Sequence, residues 1–434
     1  MNIISIFYSH TTSPNQKFAE LGQRTHFVRL CRTPIFKYKE DTMKNQNLIN
    51  THDQYVMGTY GRFPIAISHG RGARLYDLDG KEYIDFTSGI GVNSLGYGNP
   101  AWIQAITDQA QKLGHISNLY YTEPAAKVAK QLCERTGFSK VFFANSGAES
   151  NEGIIKLARK YSRDKYGEGR HTIVTLNGSF HGRTITALAA TGQDVFHQHF
   201  FPFTEGFCHV DPGDMPALKA ASKDACAVLI ELIQGEGGVL PLDKAYVQEV
   251  AAFCAANDIL LMIDEVQTGA GRTGSLFAFQ QYGIVPDVIS FAKGIAGGVP
   301  FGGFMARENC GTVLGPTTHG TTFGGNPLGA AAAAVVLDTL TDEFMADVIT
   351  KGQYIQDKVA AMNSPYVAEI RGMGLMIGIV LKDIVHKELV SKLNDAGLMA
   401  LTAGSATLRF LPPLNITYEE IDAGLAILEK VMQK

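Results

Sequence analysis

Two charged residues close two apolar runs in the middle of this 434-residue chain. The run ILLMID ends in Asp264, and DVISFAK ends in Lys293. Where strands alternate with helices, ligands gather at the carboxyl ends of the strands. An acid and a lysine delivered to two such ends suit pyridoxal phosphate. The lysine amine takes the cofactor aldehyde as a Schiff base. The acid faces the ring nitrogen and keeps it protonated, so that the ring draws electrons. A plain buried ion pair is the simpler alternative, but it leaves unexplained the glycine after the lysine, Gly294, and the small-residue loops elsewhere.

Those loops carry further chemistry. Asn145-Ser146-Gly147-Ala148-Glu149 follows one apolar run and opens a helical pattern in which Ile154, Leu157, Ala158 and Tyr161 share a face. Free N–H groups and the positive dipole end at such a start suit a phosphate. A serine followed by an acid in the first turn equally describes an ordinary helix cap. In NGSFHGR, Phe180 offers a ring face to a planar cofactor and Arg183 a fork for a carboxylate. An arginine satisfied within its own loop is the bland reading. ELIQGEGG places Glu231 and Glu236 in a glycine-rich loop that lets a ligand approach the backbone. GTTFGGNP offers the hydroxyls of Thr321 and Thr322, and Arg409 stands alone in an apolar strand, where burial demands an anionic partner.

Two motifs point elsewhere. GAGRTG at 269–274 is a literal GxGxxG, but DEVQT separates it from the strand and no capped helix follows, so the dinucleotide fingerprint is not met. His197 and His199 form an HxH pair without the further acids or cysteines of a full ligand set, and no metal is expected.

The elements that must position these residues alternate. Val141–Phe143, Thr172–Leu176, Ala227–Leu232, Ile259–Ile263 and Val288–Phe291 read as buried strands, with helical patterns such as the one from Ala245 between them. The spacing predicts an α/β chain with a mainly parallel sheet. Asp79-Gly80 between two alternating runs predicts a hairpin. A helix over Asp342–Met362, a strand pair near IRGMGLMIGIVL and a closing helix suggest a second, smaller lobe built from both chain ends. The expected boundaries are an extension over 1–42, small-domain parts over 43–95 and 336–434, and a large domain over 96–335. The extension lacks the acid-poor composition of a transit peptide, and Met43 is a possible start.

Composition sets the outer bounds. With 45% apolar and 18% charged residues the chain can bury a large core without staples. A net charge of −4 without Lys/Arg clusters argues against nucleic acid. No apolar run reaches the ~20 residues of a membrane span. Six scattered cysteines without CxxC pairs read as the reduced thiols of a cytoplasmic protein.

Taken together, SGAESNE, FHGRT, QGEGG, DEVQTGAGRTG, FAKG and GTTFGGNP resemble the class III (ω-amino) aminotransferases of fold type I, from about Tyr55 to the C-terminus. The resemblance implies a large domain around a seven-stranded, mainly parallel sheet, a smaller α+β domain, bound pyridoxal 5'-phosphate, and a homodimer with shared sites. Lys293 and Asp264 are the implied catalytic pair. Ser146, Gly147, Ala148, Phe180, Glu265, Val266 and Gln267 are the implied cofactor contacts, with Thr322 reaching the phosphate of the neighbouring subunit. GIGVNSLGYGNP and His181 are most similar to the acetylornithine aminotransferases. That implies N-acetylornithine as donor, 2-oxoglutarate as acceptor, and a place in arginine biosynthesis. Arg183, with Thr321, then anchors the donor carboxylate, and Arg409 grips the α-carboxylate of 2-oxoglutarate, covered by Glu236 in the first half-reaction. Ornithine, succinylornithine or 4-aminobutyrate as donor, or an aminomutase, are the alternatives. The chain departs from the family pattern at Leu232 (usually Pro), Phe323 (usually Tyr) and Ser150 (usually Ala).

Overall fold

A computed structural model describes residues 45–433; the expected extension over 1–42 lies outside them. The central sheet has seven strands in the order Lys140–Ala144, Gly302–Ala306, Val288–Phe291, Leu260–Asp264, Ala225–Ile230, Thr172–Leu176, Phe207–Val210. Only Gly302–Ala306 runs antiparallel to its neighbours, so the sheet is mainly parallel, as expected. Its inner strands are buried along their whole length apart from Thr172 at the start of one of them. Parallel strands are covered by helices on both faces and carry near-continuous apolar sequence for that reason.

Each strand divides its side chains between two cores, because successive residues point to opposite faces. Val228, Ile230, Leu261 and Ile263 enter the larger core. Ala227, Leu229, Leu260 and Met262 enter the smaller one, beneath helix Gly147–Tyr166, which contributes Ile154, Leu157, Ala158 and Tyr161. Each such aliphatic side chain adds about 1.5–3 kcal/mol when fully buried. The helix lies so close that a Cβ at Gly153 would sit 2.3 Å from the Phe304 ring. A larger residue there would lift the helix from the sheet, at about 1–3 kcal/mol.

The chain ends meet as the patterning suggests. Arg74–Asp77 and Glu82–Asp85 form the hairpin around Asp79-Gly80, with Gly80 at φ +85°. Leu398–Met399 then pairs with Glu82–Asp85 in parallel, joining the C-terminal segment to the N-terminal sheet. Val367–Met373, Met376–Leu381, Thr407–Phe410 and Leu401–Ala403 make an antiparallel sheet that carries Arg409. The GAGRTG turn supplies a structural tie here. Its fully buried Arg272 donates to the carbonyls of Leu375 and Pro412.

Candidate active site

Three strand ends and one helix start converge on a cavity of about 420 Å³. Asp264 is the last residue of its strand, and Lys293 follows two residues after Val288–Phe291. Lys293 opens a short 3-10 turn at φ +44°, a left-handed conformation uncommon outside glycine. Ser94 holds the turn by donating to the carbonyl of Gly294 at 2.9 Å. A Cβ on Gly294 would meet that hydroxyl at 2.5 Å, which explains the glycine. The Lys293 side chain is half-buried at the cavity wall, and desolvation drives its amine below its usual range more strongly than Glu236 and Asp264 hold it up. That is the direction that nucleophilic or base chemistry by a lysine needs.

Asp264 is held on three sides. Asn151 Nδ2 donates to Oδ2 at 2.7 Å, His181 Nδ1 lies 2.8 Å from the same oxygen, and the Val266 N–H donates to Oδ1 at 3.0 Å. A carboxylate only accepts, so Nδ1 of His181 carries the proton. The other ring nitrogen, Nε2, is buried without a partner among the described residues. Glu231 also lines the cavity; burial pushes its carboxyl up to about 7, against the pull of the neighbouring His181. It accepts the Phe180 N–H at 2.8 Å.

The helix Gly147–Tyr166 starts at the cavity wall. Ser146 caps it by accepting from the Glu149 N–H, so the reading as a cap holds. The first-turn N–H groups of Gly147 and Ala148 still lack helical acceptors and border the cavity. A Cβ on Gly147 would sit 2.6 Å from Val266. Ser150, where the family pattern has alanine, donates to the carbonyls of Ser146 and Phe291 and so ties helix start to strand end.

Ser146, Gly147, Ala148, Phe180, Arg183, Asp264, Val266, Gln267 and Lys293 thus share one cavity. Arg409 reaches it through Gln267, with Nη1 at 3.3 Å from Oε1, and donates to Glu236 at 2.6 Å. Burial alone would raise the Glu236 carboxyl; the charge and hydrogen bond of Arg409, with Lys293 and Gln267, hold it below the usual range.

Three expected contacts lie elsewhere. Glu265 turns its side chain away from the cavity: its carboxylate accepts from Thr268 and the Phe279 N–H, and its own N–H donates to the Ser290 carbonyl. Its polar groups are spent inside the fold, because it follows Asp264 in sequence and points the opposite way. Thr321 uses its hydroxyl to accept from Asn145 and the Gly324 N–H, at the edge of the site. Thr322 is exposed and does not line this cavity.

Asn151 and His181 went unassigned in the sequence reading. Asn151 had a usable signal: it lies four residues after Gly147, on the same helix face. The described residues contain no group of three His, Cys, Asp or Glu that could hold a metal, and none of their helices is long and apolar enough to cross a membrane.

The sequence profile of the class-III aminotransferases matches residues 55–432. The chain belongs to this family. The enzyme is 50% identical to the acetylornithine aminotransferase of Haemophilus ducreyi over 88% of its own length and 97% of the relative. It is 43% identical to the succinylornithine transaminase of Photorhabdus laumondii over 88% and 97%. Among solved structures it is similar to the ornithine aminotransferase of Toxoplasma gondii, with a TM-score of 0.86, 32% identity, and 90% and 95% of the chains covered. It is an aminotransferase that works with pyridoxal phosphate. The cavity fits that group: an amine held below its usual range, a braced carboxylate, a ring face and a helix start border one space.

Proposed function

We propose that the enzyme transfers the terminal amine of N-acetylornithine to 2-oxoglutarate, giving N-acetylglutamate 5-semialdehyde and glutamate. The observation that carries this reading is the unequal state of two arginines. Arg183 stands exposed at the rim with no acid on it among the described residues, and Arg409 is masked by Glu236. Identity to an acetylornithine aminotransferase supports the donor.

Bound pyridoxal phosphate supplies the electron sink that makes the donor carbon acidic. Lys293 would hold its aldehyde, Asp264 its ring nitrogen, Phe180 its ring face, and the Gly147 and Ala148 N–H groups its phosphate. Thr322 would complete the phosphate site of a second subunit in a homodimer. Asn151 and His181 keep the Asp264 carboxylate pointed at the cavity. Arg183 receives the donor carboxylate and turns the terminal amine inward. Once displaced from the cofactor by the donor's amine, the Lys293 amine would be the base that takes a proton from the amine-bearing carbon of the donor.

The donor's reacting carbon carries no carboxylate, whereas that of 2-oxoglutarate does. An unpaired Arg409 would be a costly buried charge while the donor is bound. Glu236 neutralises it, then gives way when the acceptor supplies its own carboxylate.

The two half-reactions, followed separately by absorbance, test the assignment. Arg183→Ala should slow the first with N-acetylornithine and spare the second with 2-oxoglutarate. Arg409→Ala should do the reverse. Equal slowing of both half-reactions by both variants would contradict it.

A further inference from the structure

The stretch VFHQHFFPF, set aside above as an incomplete metal site, has a place beside the cavity. Asp194–Phe196 forms a short 3-10 turn. It is tied to the loop that carries Phe180 and Arg183: Gln193 donates to the Ser179 carbonyl at 2.9 Å, and the Gly192 N–H donates to the Ser179 hydroxyl at 3.0 Å. His197 Nε2 donates to the Leu188 carbonyl at 2.8 Å, which spends that nitrogen on the turn. The turn thereby presents the ring of Phe196 at a fixed place.

The Arg183 guanidinium lies 3.9 Å from the centroid of that ring and 5.4 Å from that of Phe180. The two rings meet edge to face, with centroids 5.8 Å apart at 79°. Among the described residues Arg183 makes no ion pair, so the rings are what holds it. A cation over an aromatic face is attracted by the ring quadrupole. The planar guanidinium also stacks there with its N–H edge free to meet a carboxylate.

We propose that Phe196 is a specificity-determining positioning residue, which pre-sets Arg183 for the carboxylate of the donor. The inference rests on the assignment of Arg183 to that carboxylate. Without the ring, a long exposed side chain must be ordered each time the donor binds, and affinity falls. The reacting end of the donor is untouched, so the loss falls on KM and not on kcat.

The test compares Phe196→Leu, Phe196→Trp and Arg183→Ala in the cofactor-loaded enzyme. The donors are N-acetylornithine and N-acetylputrescine, its counterpart without the carboxylate. Binding of N-acetylnorvaline, which keeps the carboxylate and lacks the reacting amine, is followed by calorimetry. An exposed cation–π contact corresponds to about two- to fivefold in binding. Phe196→Leu should therefore raise the KM for N-acetylornithine and the Kd for N-acetylnorvaline by about that factor. It should leave kcat and the N-acetylputrescine kinetics unchanged, and Phe196→Trp should retain wild-type values. Wild-type constants in Phe196→Leu would overturn the inference, as would equal losses with both donors. If Arg183→Ala loses its preference for N-acetylornithine while Phe196→Leu keeps the full wild-type ratio between the two donors, only the role of Phe196 falls. If Arg183→Ala keeps that preference, the Arg183 assignment falls and this inference with it.

Discussion

Replacing Glu236 by alanine leaves Arg409 without its anion. The Arg409 side chain is 3% exposed and that of Glu236 31%, with 2.6 Å between donor and acceptor. Breaking a fully buried pair costs about 3–5 kcal/mol, and an exposed pair contributes about 0–1 kcal/mol. The half-open setting here points to about 1–2 kcal/mol, which is about tenfold in binding. Arg409 becomes free to take an α-carboxylate at the start of the cycle, so α-amino donors such as glutamate should gain by that factor relative to N-acetylornithine. The assay is the rate of the first half-reaction with each donor, read as kcat/KM. The carboxyl of Glu236 lies below its usual value, so the pair stands at neutral pH. It is lost only as the pH falls through that lowered value, and the wild-type enzyme should lose donor discrimination in the same direction. An unchanged donor ratio in Glu236→Ala would refute the masking argument.

Further outcomes follow from the same geometry. Lys293→Ala should abolish turnover, and borohydride treatment followed by denaturation should leave no cofactor on the chain; retained cofactor would contradict the role of this amine. Gly147→Ala forces a Cβ to 2.6 Å from Val266 and should weaken cofactor binding to the apoenzyme by about tenfold or more, from an overpacking cost of about 1–3 kcal/mol. His181→Ala removes one of three donors from Asp264 and should lower kcat more than it raises the KM for N-acetylornithine; a KM effect alone would place His181 on the substrate side. Glu231 is raised to about 7 by burial, so the native state holds a proton that the unfolded chain releases near 4.5. Stability should fall as pH rises between these values, and Glu231→Gln should flatten that slope in melting curves of the loaded enzyme.

The sequence was most legible where strands are buried on both faces. Thr172–Leu176 (TIVTL) and Val288–Phe291 (VISF) match their expected limits because each is a short run rich in β-branched and apolar residues. Gly302–Ala306 went unseen: its GGFMA carries two glycines, an unfavourable strand composition. The structure requires them, since a Cβ on Gly303 would lie 2.2 Å from the Phe142 carbonyl. Phe207–Val210 was missed as a short, half-buried edge strand.

Within the site, residues with distinctive chemistry declared themselves. Lys293, Asp264, Arg409 and Glu236 each stand out by charge in an apolar or glycine-rich setting. Asn151 did not, because its importance comes from a contact 113 positions away in the chain. Phe196 carries no distinctive chemistry of its own, and only the folded chain sets its ring against Arg183. Glu265, implied as a cofactor contact by the family resemblance, turns its side chain into the interior, a direction its neighbours in the sequence do not reveal.

A donor comparison tests the central claim most directly. Purified enzyme with pyridoxal phosphate and 2-oxoglutarate is given N-acetylornithine, ornithine, succinylornithine or 4-aminobutyrate, and glutamate is quantified. The account predicts that N-acetylornithine gives the highest kcat/KM and that this preference disappears in Arg183→Ala. A higher kcat/KM for ornithine or 4-aminobutyrate, or glutamate formation that ignores Arg183, would contradict it.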